Sequence, residues 1–322
     1  MILRTKVAML FAASMLAGPA SAAWPERPVR IVVPYGPGAM GDLLVRVMAD
    51  DLRRSLGQPV IVENKAGAGG NIGAAVVAQA PPDGYTLLVG ATNNFVINQF
   101  LYKQMGFDPI KAFAPITVIA DVPSVIFVNA AVPAKTFAEL VAYAKANPGK
   151  VNFGSPGAGT TPHLTMESIN RARRLAMTHV PYKGAGQAMT ALLGNEVQVY
   201  LVGAGVGMPY LKADKVHALA ISGNARLPML PDVPTFGEAG ITMDVRTGNW
   251  WGVAAPAGTP PAVLSRLNEA FRAALAAPAV RKRMAELGVI AVGNAPRDMA
   301  NQLVEESQSW GRAIHDLNIT LD

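Results

Sequence analysis

Short β-branched runs and amphipathic stretches alternate along this chain, and the alternation begins twice. Val29–Pro34 leads through a glycine-rich turn into a helical stretch at Gly41–Leu56, and Val151–Phe153 leads through a second glycine-rich turn into Pro162–Arg171. Alternating strands and helices are typical of α/β folds with mainly parallel sheets. We therefore predict two α/β lobes, each with a mainly parallel sheet, around a ligand cleft.

Charge-poor runs near residues 116–129 and 244–255 indicate two crossings between these lobes. Lobe 2 is then an insertion at 121–249, and lobe 1 consists of 23–120 plus 250–322. A cleft between two lobes is a preferred place for a small ligand.

The first 22 residues are predicted to be a secretory signal peptide. Arg4 and Lys6 precede the uncharged stretch Val7–Gly18, and Ala20–Ala22 has the small-x-small pattern of a cleavage site. The apolar stretch is too short to span roughly 30 Å of hydrocarbon, which argues against a membrane anchor. The sequence contains no cysteine, so a lipid-modified cysteine, disulfides and thiolate metal sites are excluded.

The first glycine-rich turn, Pro34–Asp42, has the features of an anion site. Glycines let the backbone approach a ligand, and the start of the following helix presents unpaired N–H groups with a partial positive charge. Such a site binds an anion without a cationic side chain. The candidate ligand-binding residues here are Tyr35, Pro37, Gly38, Ala39, Met40, Gly41 and Asp42.

The second turn, Ser155–His163, occupies the same strand-to-helix position in lobe 2. Two helix N-termini facing each other would hold one carboxylate, or both ends of a dicarboxylate. The alternative for either turn is a plain connection with small residues for packing, with Asp42 serving the helix dipole and His163 a cap. The candidate ligand-binding residues here are Gly157, Gly159, Thr160, Thr161 and His163.

A dinucleotide site is a competing interpretation of the first turn. Gly36–Gly41 matches G-x-G-x-x-G between a strand and a helix, and Glu63 follows at the distance of a ribose-binding acid. Predicted export, the stiffness of Pro37 and the unexplained second turn argue against it.

Other functional classes find little support. The net charge of +6 is modest and its positive residues are scattered, which argues against nucleic-acid binding. There is no G-x-S-x-G, HExxH or P-loop lysine, and four histidines without cysteine leave few nucleophile or metal constellations. We expect no enzyme activity, no cofactor and no metal.

Several blocks in one order give the chain a family resemblance from Trp24 to about Ile314. It resembles the receptors of the tripartite tricarboxylate transporter family, also called Bug receptors. The blocks that carry the resemblance are Trp24–Pro28, Gly57–Asn64, Gly67–Gly73, Pro82–Leu88, Gly159–Leu164, His179–Gly184, Leu230–Thr235 and Ala255–Pro260.

The resemblance implies a type II periplasmic binding-protein fold and a soluble periplasmic receptor. It also implies a carboxylate ligand between the two turns, held partly through backbone N–H groups and water. Asn93 and Gly184 join the candidate contacts. The implied ligands are di- or tricarboxylates, acidic amino acids and aromatic carboxylates. Membrane transporter subunits are the implied partners, a membrane sensor is the alternative, and we expect a monomer.

The chain departs from the family pattern at both the first turn and a later strand. Ala39 replaces the second glycine of the family turn, and Met40 is bulkier than the usual small polar residue, which would narrow the pocket. Gln198 and Val202 stand where the family usually carries acids. Without an acid at Val202, we expect an amine-bearing ligand to be disfavoured.

Overall fold

The computed structural model describes residues 24–321, so the predicted signal peptide at 1–22 lies outside the described residues. The α/β class is confirmed. The chain first builds a set of strands and helices that ends with a long strand: β1 (Val29–Val33), α1 (Met40–Leu56), β2 (Val60–Asn64), α2 (Asn71–Ala78), β3 (Thr86–Ala91), α3 (Asn98–Leu101), α4 (Pro109–Ala112) and β4 (Phe113–Val122).

The middle of the chain forms a second set, and the final part returns to the first. The second set is β5 (Ser124–Asn129), α5 (Phe137–Ala146), β6 (Asn152–Ser155), α6 (Thr161–Arg173), β7 (Thr178–Pro181), α7 (Ala185–Leu193), β8 (Val199–Gly203), α8 (Ala204–Lys212) and β9 (Val216–Ile221). The returning elements are β10 (Asn249–Pro256), α9 (Pro261–Ala276), α10 (Pro278–Glu286), β11 (Ile290–Ala291) and α11 (Pro296–Leu317).

Local sequence explains these elements well. In α1, Leu44, Met48 and Leu52 form one buried face, and the helix ends at Gly57, whose φ of 75° is easy only for glycine. A capping box is present at the start of α5. Thr136 Oγ1 accepts a hydrogen bond from the Glu139 N–H, and the Glu139 carboxylate accepts one from the Thr136 N–H.

The strands form two sheets, with orders β11-β4-β10-β3-β1-β2 and β7-β6-β8-β5-β9. We call each sheet with its helices lobe 1 and lobe 2; the boundaries expected near residues 120 and 250 stay a prediction. The sheets are mixed, so the expectation of mainly parallel sheets was wrong in this respect. The cause is the return of the chain, because β10 inserts antiparallel between β3 and β4, and β5 pairs antiparallel with β8 and β9.

The pairing fixes which strand ends meet between the lobes. Because β4 is antiparallel to β10 and β10 to β3, the carboxyl ends of β1, β3 and β4 share one edge of the first sheet. The carboxyl ends of β6, β7 and β8 share the facing edge of the second sheet. The chain crosses between β4 and β5 and again before β10, so both edges border the interlobe cleft.

Apolar clusters cover both faces of each sheet. One cluster packs α1, α9 and α10 on the first sheet around Phe271 and Trp251, and another packs α2 and α11 around Trp250 and Trp310. The second of these also contains Leu164 of α6, so the two lobes share apolar contact. Within residues 24–321, no helix combines the length and apolar character needed to cross a membrane.

Candidate functional site

The first turn joins β1 to α1 and is braced by one buried carboxylate. Asp42 is 2% exposed, and its Oδ2 accepts hydrogen bonds from the Gly38 N–H at 3.0 Å and from Arg46 Nε at 2.9 Å. The Arg46 hydrogen bond is the main reason that the pKa of the Asp42 carboxyl lies below its ordinary value. Asp42 therefore fixes the shape of the turn from beneath, while Pro37 and Gly38 are exposed.

Aromatic rings support the start of α1. A β-carbon at Gly41 would lie 2.3 Å from the Trp251 ring, so this position must be glycine for the helix to approach β10. The Tyr35 ring meets Trp251 edge to face at 5.4 Å, and the Tyr35 hydroxyl donates to Asn94 Oδ1 at 3.1 Å. Burial raises the pKa of Tyr35, so its hydroxyl keeps its proton.

The second turn joins β6 to α6 and is braced by uncharged groups. The Ser155 hydroxyl donates to the Gly157 carbonyl at 2.9 Å and accepts from the Gly157 N–H at 3.2 Å. The Thr160 hydroxyl donates to the same carbonyl at 2.7 Å. Two predicted residues, Gly157 and Thr160, thus hold the turn together through their own hydrogen bonds.

Two stacked histidines lie beneath this turn. The His163 and His179 rings are 3.7 Å apart between centroids, and Phe153 stacks on His179 at 5.0 Å. Burial, with His179 alongside, lowers the pKa of His163 to about 3, and burial lowers that of His179 to about 4. Both rings are therefore neutral near pH 7.

Each histidine bonds one atom of the turn. His163 Nδ1 accepts from the Gly159 N–H at 3.0 Å, and His179 Nε2 lies 2.7 Å from Ser155 Oγ. Because the Ser155 hydrogen goes to Gly157, we assign the His179 Nε2–H as donor to Ser155. The Ser155–His179 pair has the spacing of a nucleophile and its base, but Ser155 is fully buried and its proton is already used.

Asn93 connects lobe 1 to the second turn across the cleft. It follows β3 in lobe 1, and its Nδ2 donates to the Gly159 carbonyl of lobe 2 at 2.8 Å. Its Oδ1 accepts from the Thr161 hydroxyl at 3.3 Å. The predicted residues of lobe 1 and lobe 2 are thus brought together by a direct contact between them.

Gly184 begins α7 on the same cleft edge as the second turn. Its φ is 139°, and the space where a β-carbon would lie is open for 4 Å. Because β7 runs parallel to β6, the N-termini of α6 and α7 lie side by side. The predicted residues therefore belong to segments that meet at the cleft, with Asp42 and His163 buried beneath the two turns, and ligand contact by any of them stays a prediction.

One element of this edge was missed in the sequence. The glycine-rich stretch after β8 forms α8, whose Ala204 N–H donates to the Pro123 carbonyl at 3.2 Å. A β-carbon at Gly205 would lie 2.5 Å from the Leu287 carbonyl of lobe 1, and one at Gly207 would lie 2.2 Å from the Phe127 ring. Glycine and proline are unfavourable inside helices, so Gly205, Gly207 and Pro209 hide this helix in the sequence.

The structure changes the meaning of the missing acids. Gln198 precedes β8 at the end away from the cleft, and its Oε1 accepts from the Asn152 N–H at 2.8 Å. Val202 is 5% exposed inside an apolar cluster with Val125 and Phe127. Neither side chain faces the cleft region defined by the turns, so the expectation against an amine-bearing ligand loses its basis.

A separate cavity of about 780 Å³ lies at the interlobe crossings and includes none of the predicted ligand residues. Arg246 in its wall pairs with Asp121, and its second contact is Glu306, with Arg246 Nη1 3.7 Å from Glu306 Oε1. Glu306 is buried, accepts a hydrogen bond from Trp250 Nε1 at 2.8 Å, and burial raises its pKa to about 7.

Within residues 24–321, no group of three acidic or histidine side chains is arranged to hold a metal.

Two α/β lobes with helix N-termini facing a shared cleft define a two-lobed solute-binding protein. The family model for the tripartite tricarboxylate transporter family receptor matches residues 44–319. The chain belongs to this family, and the predicted family is confirmed. The chain is also 32% identical over 317 residues to the protein BugT of Bordetella pertussis, covering 98% of this chain and 97% of BugT.

Two solved structures share this fold closely. One is Rpa4515 of R. palustris with adipate, which is 33% identical to this chain. The match covers 92% of this chain and 99% of Rpa4515, with a TM-score of 0.83. The other is MatC of Rhodopseudomonas palustris with bound malate, 32% identical, covering 90% of this chain and 100% of its own, with a TM-score of 0.78. The receptor class inferred from the sequence is confirmed.

Proposed function

We propose that this protein is an exported periplasmic receptor that captures a small carboxylate between the first and second turns and delivers it to membrane transporter subunits. The observation that carries the proposal is that α1 and α6 begin at the facing edges of the two sheets, so both helix N-termini border the cleft. Unpaired N–H groups and the helix dipole favour an anion there. The adipate and malate in the two similar structures support a dicarboxylate.

The ligand leaves chemically unchanged in this proposal. Ser155 and His179, the pair that most resembles a nucleophile with its base, are used to build the second turn. The buried Asp42 carboxylate is occupied by Gly38 and Arg46. Neither group is free to attack a ligand, and the expected role is binding alone. Mass spectrometry of a ligand recovered after long incubation should return its original mass.

A thermal-shift screen of residues 23–322 tests the ligand class. The panel contains aliphatic and aromatic mono-, di- and tricarboxylates, acidic amino acids and NAD, with amide analogues as matched controls. A ligand at about 100 times its dissociation constant adds roughly 2.7 kcal/mol of stability. We expect a clear shift with one dicarboxylate that its diamide does not produce. A shift with NAD and none with any carboxylate would contradict the proposal.

A further inference from the structure

The contact between Asn93 and the second turn uses both ends of one amide. Nδ2 donates to the Gly159 carbonyl and Oδ1 accepts from the Thr161 hydroxyl, so both polar atoms of a lobe 1 side chain bond lobe 2. Thr161 is the first residue of α6, and Gly159 lies within the turn before it. Asn93 therefore reaches the segment that sets the position of the α6 N-terminus.

The backbone beside Asn93 is held firmly in lobe 1. The Trp250 N–H of β10 donates to the Thr92 hydroxyl at 3.0 Å, and the Ala91 N–H donates to Asn94 Oδ1 at 3.0 Å. Asn93 itself opens a π-helical turn, Asn93–Ile97, a local geometry that is frequent at functional sites. Its neighbours fix its direction, so the amide presents a rigid pair of partners to lobe 2.

An apolar contact from lobe 1 surrounds the same point. A β-carbon at Gly159 would lie 2.6 Å from Leu321 Cδ1 and 2.7 Å from Leu101 Cδ1. The Leu321 N–H donates to the Leu101 carbonyl at 3.0 Å, which ties the end of the chain to α3. Because Gly159 also has a φ of 73°, only glycine permits this approach.

We propose that Asn93 is an interlobe clasp, a positioning residue that stabilises the closed arrangement of the lobes and aligns the second turn with the first. Its partners all belong to the protein, so the clasp favours closure with the cleft empty as well as filled. The role of the clasp in ligand release rests on the proposed function. Its role in closing the empty protein is independent of that function. A contact made only in the closed state shifts the open and closed populations by its own free energy.

Asn93→Ala removes the clasp, and Gln99→Ala is the matched control. Gln99 lies in the same segment, but its amide donates to Val96 and Ser307, both within lobe 1.

Because the chain has no cysteine, Arg53→Cys and Lys212→Cys place two spin labels uniquely. Both positions are exposed: Arg53 lies in the last turn of α1, and Lys212 is the last residue of α8. Each helix begins at the cleft and belongs to a different lobe, so the separation of the labels reports closure.

The first measurement is the distance distribution between the labels in the empty protein. We expect a short-distance population in the parent and in Gln99→Ala that falls about tenfold relative to the open population in Asn93→Ala, as two ordinary hydrogen bonds imply. A parent distribution without a short distance, or one that Asn93→Ala leaves unchanged, would overturn the clasp.

The second measurement is the dissociation rate of adipate by stopped flow. We expect dissociation to be about tenfold faster in Asn93→Ala with little change in association, because the contact forms after encounter. Unchanged dissociation would overturn the role in ligand release. If adipate and the wider carboxylate panel fail to bind while Asn93→Ala still opens the empty protein, the proposed function fails and the clasp stands.

Discussion

The first and second turns occupy equivalent positions in the two lobes but are stabilised by different chemistry. The first depends on an ion pair, in which Arg46 lies largely in solvent and Asp42 is buried. The second depends on neutral groups: a serine, a threonine and two stacked histidines with lowered pKa values. The proposed anion site thus combines two turns: the stability of the first depends on salt, and the stability of the second depends on pH.

The difference has a consequence for binding. An exposed arginine is screened by salt, whereas buried neutral hydrogen bonds are not. Protonation of the histidines would place positive charges under the second turn and break the hydrogen bond that His163 Nδ1 accepts from the Gly159 N–H. The following substitutions separate the two turns, from the largest expected effect to the smallest.

Gly41→Val should disrupt the first turn most strongly. Its side chain would overlap the buried Trp251 ring, where the missing β-carbon already lies within 2.3 Å of a ring atom. Overpacking of this kind costs about 1–3 kcal/mol, and displacement of the α1 N-terminus should also abolish ligand binding. Gly36→Ala is the control, because its β-carbon would meet nothing within 4 Å. Thermal unfolding and calorimetry measure both effects, and equal behaviour of the two variants would refute the account.

Ser155→Ala should loosen the second turn without changing any charge. The substitution leaves the Gly157 N–H and His179 Nε2 without their partner, which costs about 1–3 kcal/mol. Ser168→Ala, which removes only a helix hydroxyl bonded to the Leu164 carbonyl, should cost much less. Chemical denaturation gives the free energy of unfolding for both variants. A Ser155→Ala protein as stable as Ser168→Ala would show that the hydroxyl does not brace the turn.

The histidine pair predicts a loss of stability in acid. The unfolded histidines bind protons below their ordinary pKa of 6.5, whereas the folded ones stay neutral to about pH 4 and pH 3. The free energy of unfolding should therefore fall as pH drops from about 6.5 toward 4. His163→Asn combined with His179→Gln keeps an acceptor and a donor without a charge, so it should remove this slope.

Thermal unfolding of both proteins between pH 4 and 8 measures the slope. The raised pKa of Glu306 gives the opposite trend, since its contribution is lost as pH rises from about 4.5 to 7. Glu306 is present in both proteins, so the difference between their curves isolates the histidines. Identical curves would contradict the assignment of neutral, stacked rings.

Arg46→Gln should have the smallest effect, confined to low salt. It removes the charge beside Asp42 but keeps the Gly38 bond. We expect a slight loss of affinity relative to the parent that disappears near 1 M salt, where the Debye length is about 3 Å. Arg54→Gln, which breaks another ion pair on α1, should leave affinity unchanged. A difference from the parent that persists in high salt would show that Arg46 acts other than by charge.

Much of this architecture follows from local sequence. The strand β1 and the amphipathic helix α1 depend on neighbouring residues, and each was predicted close to its observed position. The mixed pairing of β10 was not predictable, because it depends on where the chain returns after the second lobe. Helix α8 was missed because its glycines are required by close contacts with residues that are distant in sequence, Leu287 and Phe127.

The two turns could be predicted from the sequence, but the contacts within them could not. The two turns are visible because glycine, proline and threonine mark strand-to-helix connections. The roles of individual residues depend on tertiary contacts. Asn93 reaches Gly159 across 66 positions of sequence, and Ser155 reaches His179 across 24. Val202 shows the same limit, because only the structure places its side chain inside an apolar cluster.

Hydrogen–deuterium exchange of the loaded and empty protein tests the central claim most directly. The ligand is the carboxylate that gives the largest thermal shift. If it lies between the two turns, amide exchange should slow together at 36–42 and 157–163, while 222–225 and 241–249 around the crossing cavity change little. Protection of the crossing cavity with neither turn affected would contradict the account and move the ligand site to the crossings.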